Sequence, residues 1–238
     1  MSIRSIASVT LRLSAMAAWE RVQQARWTLK RQGQIKAYLA GNQTRKLQIG
    51  AGFHALEGWL NTDLLPRGRQ FVFMDATQPF PFPDDSFDYI FSEHIIEHVP
   101  YLAGRSLLQE SFRVLRPGGC IRIATPDLQV LLGLNSPVHS ESQSRYMKWV
   151  TTNFLPGIET ALPIFVINNA FRNWGHQFLY DRQTLADLLA QSGFADITAC
   201  ESGQSADPVL AGIDSHGSYI AEQEMNRFES MILEAKKL

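Results

Sequence analysis

Cysteine is scarce in this 238-residue sequence, which has two, and no stretch approaches the ~18 uninterrupted apolar residues that a membrane-spanning helix needs. There is also no internal repeat and no low-complexity tract. Each absence removes a class. Cys120 and Cys200 lack any metal or redox spacing and fall in predicted strands, so they are expected to be reduced, buried thiols. That usage points to a reducing compartment, the cytoplasm. The apolar stretch near the N-terminus is short and interrupted by Arg12, which argues against a secretory signal. With 45% hydrophobic residues the chain can bury a substantial core, and one domain with an appendage is the expectation.

The net charge of −1 conceals an asymmetry. Residues 1–46 hold nine Lys or Arg against the single acid Glu20, for +8, while the remainder carries −9. In this arm Ile6, Val9, Leu11, Leu13, Met16, Trp19, Val22, Trp27 and Leu29 interleave with the basic residues, as in an amphipathic helix. The favoured reading is a helical extension over 1–46 that caps the fold with its basic side in water. Peripheral contact of residues 1–40 with an anionic membrane and a transit-peptide role stay open. Nucleic acid is disfavoured, because the body is acidic and lacks an aromatic–basic surface signature.

Along the rest of the chain, short apolar runs alternate with turns. Leu47–Ile49, Trp59–Asp63, Phe71–Asp75, Phe87–Ser92 and Cys120–Thr125 read as strands. Arg105–Leu115 reads as a helix stopped by Pro117-Gly118-Gly119. From Leu128 to Leu179 the pattern blurs, with Pro137, Pro156 and Pro163 and many aromatics. Asp181 reads as the N-cap of a helix over 182–192, stopped by Gly193. Ile197–Cys200 and Phe228–Ala235 read as two closing strands. Strands alternating with crossovers predict an α/β fold, a mostly parallel sheet covered on both faces.

Ligands of such sheets bind beyond the carboxyl ends of the strands. Gly50-Ala51-Gly52 follows the first strand, and glycine lets backbone approach a ligand closely. The third glycine of the dinucleotide fingerprint is missing, since Ala55 stands at that spacing, which disfavours NAD. Asp63 ends the second strand, where an acid can accept from a ribose diol. Asp75 ends the third, where an acid can accept from an adenine amino group beside the Ala76 N–H. Either aspartate alone could be a turn residue. Both, in register with Gly-x-Gly, describe a nucleotide-type pocket. The run Phe82-Pro83-Asp84-Asp85-Ser86-Phe87-Asp88 and the later Leu115-Arg116-Pro117-Gly118-Gly119 join it as a turn, a strand and a tight turn.

As a set these pieces resemble the class I S-adenosylmethionine-dependent methyltransferases, more narrowly the bacterial type 11 branch. The resemblance covers residues 47–127 closely and 172–236 more loosely. It implies a Rossmann-like fold with a seven-stranded, mostly parallel sheet and an antiparallel closing strand. It further implies S-adenosylmethionine as cofactor, with Gly50, Ala51 and Gly52 at the methionine part, Asp63 at the ribose, and Asp75 with Ala76 at the adenine. Ser92 and Glu93 would close that site from the fourth strand. Domain boundaries follow: the extension 1–46, then a methyltransferase domain over 47–238, with 128–180 an acceptor-binding insert or lid. Gln48 stands where many relatives carry an acid, and the link from the first strand to Asp63 is short, so the first helix must be reduced. Relatives often accompany polysaccharide genes, which favours an O- or N-nucleophile on a sugar or small molecule as acceptor.

Glu93-His94-Ile95-Ile96-Glu97-His98 follows the fourth strand, beside the expected sulfonium. His94, Glu97 and His98 stand at i, i+3 and i+4, one face of a helical turn. His-x-x-Glu-His also matches an inverted zincin signature, but that motif belongs on a long helix. Resemblance to ubiquinone-pathway and small-RNA O-methyltransferases, which carry Glu-x-x-Glu-His at this place and bind a divalent cation, implies a less favoured reading with a metal on His94, Glu97 and His98 and His176 as a fourth ligand; His94 stands at the first Glu and suits magnesium poorly. The favoured reading is metal-free, with His94, His98 or His176 as base; an imidazole with a pKa of ~6.5 suits that task. His176 and Tyr180 would lie over the pocket mouth. The loop Gln204–Gly217, with Ser205, Asp207 and His216, would be a second wall. Two rivals remain: a non-catalytic cofactor-fold module, and a nicotinamide oxidoreductase.

Overall fold

The computed structural model describes residues 3–214 and 222–238, with side chains from residue 22 onward. Seven strands form one sheet in the order β3-β2-β1-β4-β5-β7-β6. They are β1 Lys46–Ile49, β2 Leu60–Asp63, β3 Phe71–Phe73, β4 Phe87–Glu93, β5 Leu115–Pro126, β6 Ala195–Cys200 and β7 Ser230–Lys236. The pairs β1–β2, β1–β4, β2–β3 and β4–β5 are parallel, whereas β7 runs antiparallel to both β5 and β6. This is the mostly parallel, Rossmann-like sheet with an antiparallel closing strand that the sequence predicts.

Strand alternation divides the core into two unlike faces. Leu47, Ile49, Leu60, Ile90, Ile121 and Ile123 turn to one face. There they meet α1 (Ile3–Gly41), α2 (Tyr101–Val114) and α6 (Arg182–Gln191) through Ile35, Leu107, Leu108, Leu185 and Leu188. Trp59, Phe91 and Cys120 belong to a separate cluster with Leu210, under loops rather than helices. Gln48, Asn61 and Arg122 are buried as well. Arg122 is held by Asp214 and Glu234, and its Nη1 donates to the Gln204 carbonyl at 3.0 Å. A sheet face covered by loops must satisfy loop backbone, so it takes polar side chains that a helix-covered face would exclude. The loop 204–214 therefore packs over this face, and none of its residues lines the main cavity. Asp207 accepts from the Tyr89 hydroxyl at 2.8 Å, Ser205 donates to Glu234, and His216 lies outside the described residues.

The link between β1 and β2 has no helix at all. It is ordered instead by two buried amides: Leu56 N–H donates to Asn61 Oδ1 at 2.9 Å and to Gln48 Oε1 at 3.3 Å. Gln48, where the resemblance implies an acid, is thus a loop staple. The C-terminal part of α1 fills in as cover near the edge strand. Trp27 stacks on Phe73 and Gln34 donates to the Phe71 carbonyl. Lys46 N–H donates to the Tyr38 hydroxyl at 2.9 Å, tying the last turns of the helix to β1. The amphipathic pattern over Ile6–Trp19 falls on residues whose side chains are outside the described set. Among the described residues no helix is long and apolar enough to cross a membrane.

The Phe82–Asp88 run is a clamp at the amino end of β4, not a wall of the cavity. Asp88 accepts from Arg45 N–H and, on both carboxylate oxygens, from Arg116 Nη1, Asp84 pairs with Arg113, and Asp85 pairs with Lys237. Helix α2 begins at Tyr101, earlier than the periodicity suggests, and ends at Val114. The blurred stretch 128–180 is largely helical: α3 Leu128–Gly133, α4 Glu141–Phe154 and α5 Pro163–Arg172. Its apolar residues make a second core, with Leu131, Tyr146, Val150 and Val166 packing on Met225 of α7 (Gln223–Glu229). The periodicity is blurred in α3 and α5, which also expose apolar residues, namely Leu132, Ile164, Phe165 and Phe171. Phe228, read as strand, lies in α7. Cys120 is buried as expected, but Cys200, the last residue of the edge strand β6, is only half-buried.

Candidate active site

A cavity of about 390 Å³ opens at the carboxyl ends of β1, β2, β4 and β5. One wall is the turn Gly50–His54 after β1, with Asp63 at the end of β2. The floor is Glu93, His94, Ile95 and His98, and Pro126 closes it beside β5. The opposite wall comes from α4 (Tyr146, Trp149, Val150, Phe154), from Asn169 and Ala170 of α5, and from Trp174, His176 and Glu229. Of the sequence-predicted site residues, Gly50, Ala51, Gly52, Asp63, Glu93, His94, His98 and His176 meet at this cavity. Asp75, Ala76 and Ser92 do not line it, and Tyr180 is fully buried in the main core.

The glycine turn is forced by geometry. Gly50 and Gly52 have φ of +69° and +56°, in the left-handed region that glycine adopts freely. A Cβ on Gly50 would also overlap the Ile95 side chain, which is seated directly over the turn. Gly52 N–H donates to Asp63 Oδ2 at 2.8 Å, and Leu65 N–H donates to Oδ1 at 2.7 Å. Each carboxylate oxygen so fixed keeps a second lone pair, enough to accept from two neighbouring hydroxyls. Asp75 Oδ1 accepts from both the backbone and the hydroxyl of Thr77, an aspartate turn.

His94, Glu97 and His98 are not on one face of a helix. His94 sits at φ +50°, outside the short 3-10 turn Ile96–His98. Its Nδ1 lies 3.2 Å from Glu97 Oε1, and its Nε2 lies 3.1 Å from Asn226 Oδ1 and 3.2 Å from Ser230 Oγ. Burial opposes charge on this imidazole, but Glu97, with Glu229 and Glu93 behind it, outweighs burial and raises its pKa to about 9. His94 is therefore an imidazolium at neutral pH, knotting β4 to α7 and β7. Glu97 is completely buried, and burial alone would raise its pKa. The facing His94 and His98 reverse that and hold the carboxyl below its usual range.

His176 behaves oppositely. Burial lowers its pKa despite the Glu97 charge. Its Nδ1 lies 2.7 Å from the Ala170 carbonyl, which can only accept, so Nδ1 carries the proton and Nε2 keeps its lone pair. The His98 and His176 rings pack edge to face with centroids 4.9 Å apart. On the far wall the Tyr146 hydroxyl donates to Glu229, whose pKa burial raises. Trp149, Phe154 and Trp174 form an edge-to-face chain of rings beside it. These aromatics carried no motif; only the helical insert's fold brings them to the cavity.

Residues 40–123 match the family described as a methyltransferase domain. No curated protein sequence matches the chain. Among solved structures, a phosphoethanolamine N-methyltransferase 2 of Haemonchus contortus in complex with S-adenosyl-L-methionine is 17% identical, with a TM-score of 0.45. The alignment covers 86% of this chain and 52% of that one, so the chain spans about half of its length. A SAM-dependent methyltransferase of Archaeoglobus fulgidus is 18% identical over 92% of this chain and 94% of its own, with a TM-score of 0.48. A possible histamine N-methyltransferase of Thermotoga maritima is 17% identical over 92% and 98%, with a TM-score of 0.49. Residues 40–123, from before β1 into β5, are thus similar to a methyltransferase domain, and they form the parallel part of a sheet of strand order β3-β2-β1-β4-β5-β7-β6.

Proposed function

We propose that the protein transfers the methyl group of S-adenosylmethionine to an oxygen or nitrogen of a small-molecule or sugar acceptor. The observation that carries this reading is the two-sided cavity. Its strand-end wall, with Gly50, Ala51, Gly52 and Asp63, suits the cofactor: a close backbone approach and a carboxylate with lone pairs for the ribose diol. In this reading Asp75 and Ala76 receive the adenine beyond the cavity proper, and Ser92 and Glu93 support the strand end. The insert wall, with Trp149, Phe154 and Trp174, offers apolar ring surface to an acceptor of ligand size.

A sulfonium methyl is already activated, so alignment of donor and acceptor supplies most of the acceleration. The remaining task is the acceptor's proton. His94 is unsuited to take it, being charged and occupied on both nitrogens. His98 and His176 are left to act on it, at the junction of the two walls. Titration calorimetry with S-adenosylhomocysteine, followed by labelled methyl transfer to a panel of hydroxyl and amine metabolites, tests the reading. Absence of cofactor binding at millimolar concentration overturns it. A non-catalytic module would bind cofactor and yet methylate no member of the panel.

A further inference from the structure

Glu229, the last residue of α7, lines the cavity with a half-buried side chain. Its Oε2 accepts from the Tyr146 hydroxyl, and no donor among the described residues engages its Oε1. The His94 imidazolium acts on it only through space, since Nδ1 faces Glu97 and Nε2 faces Asn226 and Ser230. Burial opposes charge on the Glu229 carboxyl and raises its pKa, so a cation brought beside it favours the ionised form.

Aromatic rings share this wall. Tyr146, Trp149, Phe154 and Trp174 line the cavity and follow one another with centroids 6.1, 4.9 and 4.8 Å apart. The faces of such rings are negative and attract cations. Among the described residues that line the cavity there is no Lys or Arg. A phosphate or carboxylate on the acceptor would therefore find no ammonium or guanidinium to pair with.

We infer that the acceptor carries an alkylammonium group, seated between the Glu229 carboxylate and the aromatic rings of the insert wall. The inference rests on the methyltransferase reading only in calling this ligand the acceptor. An ammonium suits both parts of the wall: an N–H donates to Oε1, and the adjoining methylenes, which carry part of the charge, meet ring faces. A neutral hydroxyl could make the hydrogen bond but would gain nothing from the ring quadrupoles. A primary or secondary amine is specified over a quaternary one, because only an N–H can satisfy Oε1. The subsite holds the charged group, whichever atom of the acceptor takes the methyl.

The wall is built before any ligand arrives. Burial and the Glu229 charge hold the Tyr146 phenol protonated, so it stays the donor and fixes Oε2. Tyr146 also packs on the Phe228 ring at 5.0 Å, and Asp127 N–H donates to the Glu229 carbonyl at 2.7 Å. The carboxylate is thereby tied to α4 and to the end of β5, and a ligand need not organise it.

A matched series tests the subsite: phenethylamine, phenethyl alcohol and hydrocinnamate, titrated by calorimetry into the whole protein with and without S-adenosylhomocysteine. The amine is expected to bind about tenfold tighter than the alcohol, and the acid more weakly than either. Glu229→Gln keeps an acceptor for the Tyr146 hydroxyl and should erase the amine's advantage while leaving the alcohol's affinity in place. Trp174→Leu, at a position 52% exposed, tests the rings apart from α7 and should weaken the amine about threefold with little effect on the alcohol. Equal affinity for amine and alcohol, no amine binding at millimolar concentration, or an amine preference that survives both variants overturns the inference. S-adenosylhomocysteine affinity on the same samples separates the two readings. Cofactor binding without amine preference leaves the methyltransferase reading intact; amine preference without cofactor binding keeps the subsite and removes that reading.

Discussion

The Ile95 side chain occupies the space that a Cβ on Gly50 would need, so the segment after β4 packs its side chain directly on the turn after β1. Gly50→Ala is expected to destabilise the fold by about 2–4 kcal/mol, from overlap together with the left-handed φ. Adding Ile95→Ala should recover the overlap part and leave about 1–2 kcal/mol for the φ part. Denaturant midpoints of the single and double variants check this; equal stability of Gly50→Ala and the unaltered protein would refute it.

Asp63 joins the turn to the second strand through Gly52 N–H and Leu65 N–H. Asp63→Ala should lower S-adenosylhomocysteine affinity at least tenfold in protein that remains folded by circular dichroism. Asp63→Asn keeps one acceptor and should lie between the two. Calorimetric affinities for the three proteins decide it.

The His94–Glu97 pair makes stability pH-dependent in a defined direction. His94 has a folded pKa of about 9, above its ordinary 6.5, so its contribution is complete below about 6.5 and is lost as pH rises through about 9. Glu97 is shifted down, so its share is present above the ordinary carboxylate range and is lost as pH falls through its lowered folded value. The shared stabilisation is on the order of 3 kcal/mol at most. His94→Asn should flatten the alkaline limb of a stability–pH curve between pH 7 and 10. An unchanged limb would assign the loss to other groups.

Arg122 is completely buried between Asp214 and Glu234 on the loop-covered face. Arg122→Ala leaves two carboxylates without their cation and should cost about 3–5 kcal/mol. Arg122→Lys should not restore it, because Arg122 spans Asp214 with Nε and Nη2 while Nη1 reaches Glu234 and Gln204. Thermal unfolding measures the cost. Cofactor affinity at low temperature should be unchanged, since Arg122 is not in the cavity wall.

Much of the scaffold is legible in local chemistry. Short apolar strands, acids at strand ends and Asp181 capping α6 through Thr184 N–H are decided by neighbours in sequence. The site was legible only in part. Gly50, Gly52 and Asp63 announce themselves by spacing, whereas Tyr146, Trp149, Asn169 and Glu229 carry no motif and reach the cavity only because α4, α5 and α7 share a second core. The loop 204–214 shows the converse: its polar residues suggested a site wall, yet they serve Arg122, Tyr89 and Glu234 on the other face.

Sequence alone determined the strand succession and the glycine turn after β1, because each depends on residues close together in the chain. Which histidine is charged and which keeps a lone pair was decided by tertiary structure. His94 and His176 have the same intrinsic chemistry. One is buried against Glu97, Asn226 and Ser230, the other points Nδ1 at the Ala170 carbonyl, and a proton's position follows the surroundings that distant segments bring. The same long-range packing brings His176 to Glu97 and His98, as the sequence reading groups them, and turns His94 Nε2 to Asn226 and Ser230 instead.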